Sequence, residues 1–166
     1  DITGGNFRKV VRLMKFHKAQ GTIKTPSVIL TTLLGERVSA VSAAVDPTIY
    51  GDLPTTLVNL VSSLGQWLQA DFYKPSVPNP GGDGTTFDHR WEQDEYTKFR
   101  KWIHDCAEQM TTAIAEKDPQ ESMKLWQGVF GESFKPVAES TSSNSTKFGP
   151  TGAGSGSVAS RSGKSG

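Results

Sequence analysis

Three prolines of this chain stand at positions compatible with helix starts, and no run alternates apolar and polar residues as a half-buried strand would. Proline in the first turn gives up an N–H that has no helical partner anyway, and its fixed φ suits the helix. Pro26 follows Thr25, a capping residue type. Pro54 precedes the stripe Leu57, Leu60, Val61, Leu64, Trp67 and Leu68. Pro119 lies within Asp118-Pro119-Gln120-Glu121, which reads as a capping box. These starts predict an all-α body.

The spacing predicts five main helices. The first runs from about Asn6 to Gln20, with Phe7, Val10, Val11, Met14 and His17 at helical intervals and Gly21 as its stop. The second runs from Pro26 to about Ala44. It is apolar around much of its circumference, so it is expected to be the central buried helix, with Asp46-Pro47 ending it. The third begins near Pro54. The fourth spans about Asp88 to Lys117, with Tyr96, Phe99, Ile103, Cys106, Met110 and Ala113 on one stripe. The fifth carries Leu125, Trp126 and Val129 and stops near Gly131. Residues 74–88 hold three Pro and three Gly and form a long loop, a kind that is usually functional or packed on the surface. Leu30, Leu33, Leu34, Leu64, Phe99, Ile103 and Trp126 are expected to build the core.

Composition divides the chain in two. Residues 137–166 are almost entirely Ser, Gly, Thr and Ala, too poor in apolar surface to offset chain entropy, so a flexible tail is expected after a helical domain of residues 1–136. With 166 residues, one core is expected rather than two. A single Cys excludes a disulfide framework and a thiolate metal site, and the three His are scattered at 17, 89 and 104. No stretch of about 18 apolar residues suggests a membrane span, and an opening of Asp-Ile-Thr-Gly-Gly gives no expectation of a signal peptide. A soluble cytoplasmic protein is expected, and the absent initiator Met suggests a fragment or a processed chain.

Several short patterns carry little chemistry. Gly163-Lys164-Ser165 resembles the end of a phosphate-binding loop, but Val158 holds the required upstream glycine position. Gly81-Gly82-Asp83-Gly84 lacks the alternating acids of a calcium loop and reads as a turn. The sequon at Asn144 needs a secretory route. Cys106 is a core residue by position, and neither His17 nor His104 has a sequence partner that suggests nucleophilic catalysis.

Positive charge is concentrated at the start. Residues 1–24 hold Arg8, Lys9, Arg12, Lys15, Lys18 and Lys24 against Asp1 as the only acid, although the whole chain is only +1. Two readings stand: a solvated surface helix, or a face that attracts phosphate. The hydroxyls of Thr25 and Ser27 at the next helix start favour the second, because a helix N-terminus offers free N–H groups and a positive dipole end.

The run Phe7-Arg8-Lys9-Val10-Val11-Arg12-Leu13-Met14-Lys15-Phe16, followed by Ile23-Lys24-Thr25-Pro26-Ser27-Val28-Ile29-Leu30-Thr31-Thr32-Leu33-Leu34-Gly35-Glu36-Arg37-Val38, resembles the helical lobe of bacterial CD-NTases. These are the cyclic GMP–AMP synthase-like nucleotidyltransferases of CBASS anti-phage defence. Pro54-Thr55-Thr56-Leu57, Val77-Pro78-Asn79-Pro80, the Phe87 to Trp91 stretch and Trp126-Gln127-Gly128-Val129-Phe130-Gly131 extend the resemblance over residues 4–134. It implies a lobe that packs on a nucleotidyltransferase core and helps make a second messenger from NTPs. Lys15 matches a lysine that touches the donor nucleotide's phosphates, and Ser27 matches a serine that does the same. Where animal relatives place an aromatic that stacks on a base, this chain has Val28. The family's Gly-Ser motif and acidic pair, which hold Mg²⁺, are absent from the body, so this chain alone is not expected to turn over nucleotide and the magnesium would be bound outside it.

Some members of such operons have their C-terminal residue joined to a target by an E1/E2-like enzyme. A small-residue tail ending in Gly166 suits that role, and equally suits a plain linker. The remaining alternative is a non-catalytic helical module that binds nucleic acid or a protein partner through its basic first helix.

Overall fold

The structure, a computed structural model, describes residues 1–135. They form six α-helices: α1 Asn6–Gln20, α2 Ser27–Glu36, α3 Ala40–Val45, α4 Leu53–Gln69, α5 Gln93–Ala115 and α6 Pro119–Phe130. A 3₁₀ turn at Pro47–Tyr50 links α3 to α4, and the only β pairing among the described residues is an isolated bridge between Pro78 and Thr86. The proposed tail, with Gly166, lies outside the described residues.

Helices α4 and α5 form the spine, with α1 and α2 on α4 and with α6 on α5 and α1. Their apolar stripes meet in one cluster in which Val10, Met14, Ile29, Leu30, Leu34, Val61, Leu64, Phe99, Ile103 and Met110 are fully buried. All seven residues expected in the core are buried there. Gly65 of α4 sits against Ile103 and Ala107 of α5, so the two backbones approach closely. Pro54 lies in the first turn of α4 behind Asp52, whose carboxylate accepts from the Thr55 amide at 2.8 Å. Pro119 does the same in α6 behind Asp118, which accepts from the amides of Gln120 and Glu121 at 2.9 Å. Gly131 closes α6 with φ of 93°, a conformation that favours glycine.

The long second helix expected from Pro26 to Ala44 is two helices. After Glu36 the chain turns out at Arg37–Ser39 and restarts as α3. Two hydrogen bonds hold the break: the Ser39 amide donates to the Tyr50 hydroxyl at 2.9 Å, and the Ser39 hydroxyl caps the Ser42 amide at 3.1 Å. Ser competes with helical backbone through such bonds, and this outweighs the apolar periodicity. The consequence is that α3 buries none of its residues, leaving Val41 and Val45 exposed. The body therefore has six helices rather than five. The fourth expected helix also begins later, at Gln93, because residues 88–92 lead in as a turn that buries Trp91.

The loop of residues 74–88 is packed on the surface. Val77 is fully buried, its amide donates to the Asp88 carboxylate at 2.8 Å, and its carbonyl accepts from the Phe87 amide at 2.8 Å. Lys74 ties the loop's base to the Asp88 carbonyl at 2.7 Å. Within the loop, Asp83 accepts from the amide and the hydroxyl of Thr85, the closed turn expected of the Gly81–Gly84 stretch.

Candidate functional site

The basic face is built by α1. Arg8, Arg12 and Lys15 recur at helical spacing and are exposed, with Lys9 and Lys24 also exposed. One turn beyond Lys15, Lys18 folds against the α1–α2 connection and donates to the Thr25 carbonyl at 2.8 Å. That bond ties the C-terminal turn of α1 to the segment that starts α2. Lys15 and Ser27 make no direct bond to each other.

Ser27 is the first residue of α2 and is half-buried. The helix begins at Pro26 without a side-chain cap; the first amides bonded at this end are those of Ile29 and Leu30, both to the Pro26 carbonyl. The amides of Ser27 and Val28 therefore have no intramolecular acceptor among the described residues, and the Ser27 hydroxyl makes no hydrogen bond there. Orphan donors of this kind, at the positive end of a helix, suit an anion. Val28 is partly exposed at the same end and presents an aliphatic surface where a stacking ring would need an aromatic.

Thr25 does not belong to this donor set. It is fully buried, and its hydroxyl accepts from the Trp91 indole N–H at 3.0 Å. The expected cap and phosphate donor is instead the buried anchor that fastens the lead-in of α5 to the mouth of α2. Its sequence context resembles a capping residue because nothing nearby reveals a partner 66 positions away.

A second chemical cluster is one that the spacing alone does not reveal. His17 of α1 accepts at Nδ1 from the Trp102 indole N–H at 3.0 Å and lies 3.6 Å from the Cys106 thiol, both on α5. Its ring stacks on Trp102 and meets Phe130 of α6 edge-on. His17 thus does have a cysteine partner. The pair is unsuited to nucleophilic catalysis, because burial, with a smaller contribution from the Asp105 charge, pushes the Cys106 thiol up to about 12. Only the 17-to-106 pairing across α1 and α5 would have signalled the cluster, and periodicity within one helix carries no such information.

Among the described residues no three His, Cys, Asp or Glu side chains converge as a metal site, and no helix is long and apolar enough to cross a membrane. The surface recess between α4 and α5, of about 670 Å³, is lined by Ser62, Gln66, Gln69, His104, Glu108 and Thr111 and is separate from the basic face. No protein-family model matches the chain, and no curated protein matches it either.

Proposed function

We propose that this chain is the helical lobe of a CD-NTase-like cyclic-oligonucleotide synthase, and that the edge between α1 and α2 holds the donor nucleotide's triphosphate. The observation that supports it is the uncapped start of α2. Two free amides and the free Ser27 hydroxyl stand beside a face on which Lys15 is exposed. An anion there gains hydrogen bonds from donors already fixed by the helix, and a charge-assisted contact from lysine.

In this role the lobe binds and orients, while the phosphoryl-transfer carboxylates and their Mg²⁺ belong to a catalytic lobe outside this chain. Lys15 supplies a mobile positive charge to the outer phosphates. Ser27 and the amides of Ser27 and Val28 fix the phosphate oxygens in direction. Val28 offers contact without stacking, so base selection would come from elsewhere. The proposed conjugation of Gly166 by an E1/E2-like enzyme is a separate part of the same reading: the glycine carboxylate reacts with ATP to give an adenylate and pyrophosphate, an enzyme thiol displaces AMP to form a thioester, and glycine has no side chain to obstruct a narrow channel.

Titration of the isotope-labelled chain with ATP or GTP, followed by amide shifts, tests the site. The Ser27 and Val28 amides are expected to move most, and Lys15→Ala is expected to weaken binding roughly 10- to 150-fold, the equivalent of about 1.5–3 kcal/mol for a hydrogen bond to a charged group. Shifts spread evenly along Arg8, Arg12 and Lys15, with a stronger response to single-stranded RNA than to nucleotide, would favour the nucleic-acid module instead.

A further inference from the structure

His17 sits where three helices meet. It belongs to α1, its Nδ1 accepts from the Trp102 indole N–H of α5 with the Cys106 sulfur 3.6 Å away, and its ring packs on Phe130 of α6. Phe130 in turn stacks on Trp126 and Phe134, so the aromatic face of α6 is continuous with the imidazole. The Trp102 indole is an obligate donor, which means that Nδ1 carries a lone pair and the ring proton lies on Nε2. A proton added at Nδ1 would set two N–H donors against each other at 3.0 Å. It would also place a charge in a partly buried aromatic setting.

Nothing around the ring compensates such a charge. From α5 it meets Trp102 and Cys106. The neighbouring Asp105 is already bound to Lys101 at 2.6 Å. Helix α4 has no charged residue, and the one acid of α2, Glu36, pairs with Arg37. On α6, Glu121 pairs with Lys124 at 2.6 Å. The flanking charges on α1 itself, Lys15 and Lys18, are positive. No carboxylate lies within ion-pair distance of His17 among the described residues.

We propose that His17 is a proton-operated latch: protonation removes the lone pair that holds the Trp102 indole, shifts the ring at the α1–α5 contact, and through Phe130 loosens α6 from α1 and α5. Burial lowers the His17 pKa from its ordinary value of about 6.5, in agreement with a site built for the neutral ring. The direction of the stability effect follows. The folded state binds the proton less well than the unfolded chain, so the latch's full contribution is present above about pH 6.5. It is lost as pH falls below that value, until the folded-state ring is itself protonated.

The test uses the whole labelled chain, titrated from about pH 7.5 to about pH 5.5, within the range where histidine alone changes charge. The His17 ring signals, the Trp102 indole N–H and the α6 amides near Phe130 are expected to shift with one common midpoint, below the ordinary histidine value of about 6.5. In His17→Gln, whose side-chain oxygen can accept from Trp102 but does not titrate, the indole and α6 shifts should vanish. The drop in urea midpoint between the two pH values should shrink in that variant. His104→Gln, on the exposed side of α5, should keep the full response. Titration of His17 with the indole and α6 signals unmoved would overturn the latch, as would an α6 response that survives in His17→Gln or disappears in His104→Gln.

Discussion

Replacing Thr25 with Val keeps the β-branched shape but deletes the only acceptor of the Trp91 indole N–H. Both residues are essentially inaccessible, Thr25 at 0% and Trp91 at 1% exposure, so water cannot replace the lost partner. A buried donor left unpaired costs about 1–3 kcal/mol, more than the roughly 0.5–1.5 kcal/mol net value of the bond itself. An expected loss of about 2 kcal/mol corresponds to a fall in melting temperature of roughly 6–10 °C for a body of this size. Trp91→Phe should cost about as much or slightly more, because it orphans the hydroxyl and leaves part of the indole volume empty. The double variant then decides. With both polar partners gone, neither is stranded, and the combined loss should fall short of the sum by about 1 kcal/mol or more. Urea denaturation of the four proteins, read by circular dichroism at constant pH, measures that shortfall. Losses that add to within about 0.5 kcal/mol would mean that the two residues act independently, and the Thr25–Trp91 bond would not be what fastens the lead-in of α5 to the mouth of α2.

Removing the Asp118 cap of α6 by Asp118→Ala should destabilise the body by about 1 kcal/mol, read as a lower urea midpoint with an unchanged m-value. Cys106 should react with a thiol reagent at mildly alkaline pH at the rate of chain opening rather than of free thiol, because burial pushes its pKa up to about 12; rapid labelling of the folded chain would contradict that. In a full-length synthase, Lys15→Ala should lower nucleotide affinity and product formation, and unchanged values for both would remove Lys15 from the site. If an E1/E2-like enzyme is encoded beside this chain, a chain lacking its last residues should fail in a conjugation assay with it, and equal adduct formation would leave Gly166 a linker end.

The helical class and the core were legible because both follow from local signals. Pro54 behind Asp52 and Pro119 behind Asp118 mark helix starts through bonds spanning three residues or fewer, and the stripes of α4 and α5 repeat within a single helix. What was not legible rests on distant pairs. The break at Arg37–Ser39 is held in part by Tyr50, a residue on the far side of α3. Thr25 resembled a cap until Trp91 took its hydroxyl, and the His17 cluster exists only because α1 and α5 pack together. At the candidate site, the exposure of Lys15 and the position of Ser27 in the first turn of α2 followed from periodicity and from Pro26. The anchoring of Lys18 on the Thr25 carbonyl depended on a side-chain rotamer that spacing does not specify.

The central proposal concerns a lobe whose catalytic carboxylates lie elsewhere, so the most direct measurement is the nucleotide sequence of the reading frame upstream of the codon for Asp1. A strand-forming segment carrying Gly-Ser, followed by an acidic pair and a later third acid, is the expected result, since phosphoryl transfer needs carboxylates that position Mg²⁺ against the triphosphate. A frame that begins close to Asp1, or that extends upstream without that pattern, would contradict the synthase reading and leave the uncapped end of α2 as a helix start with no assigned ligand.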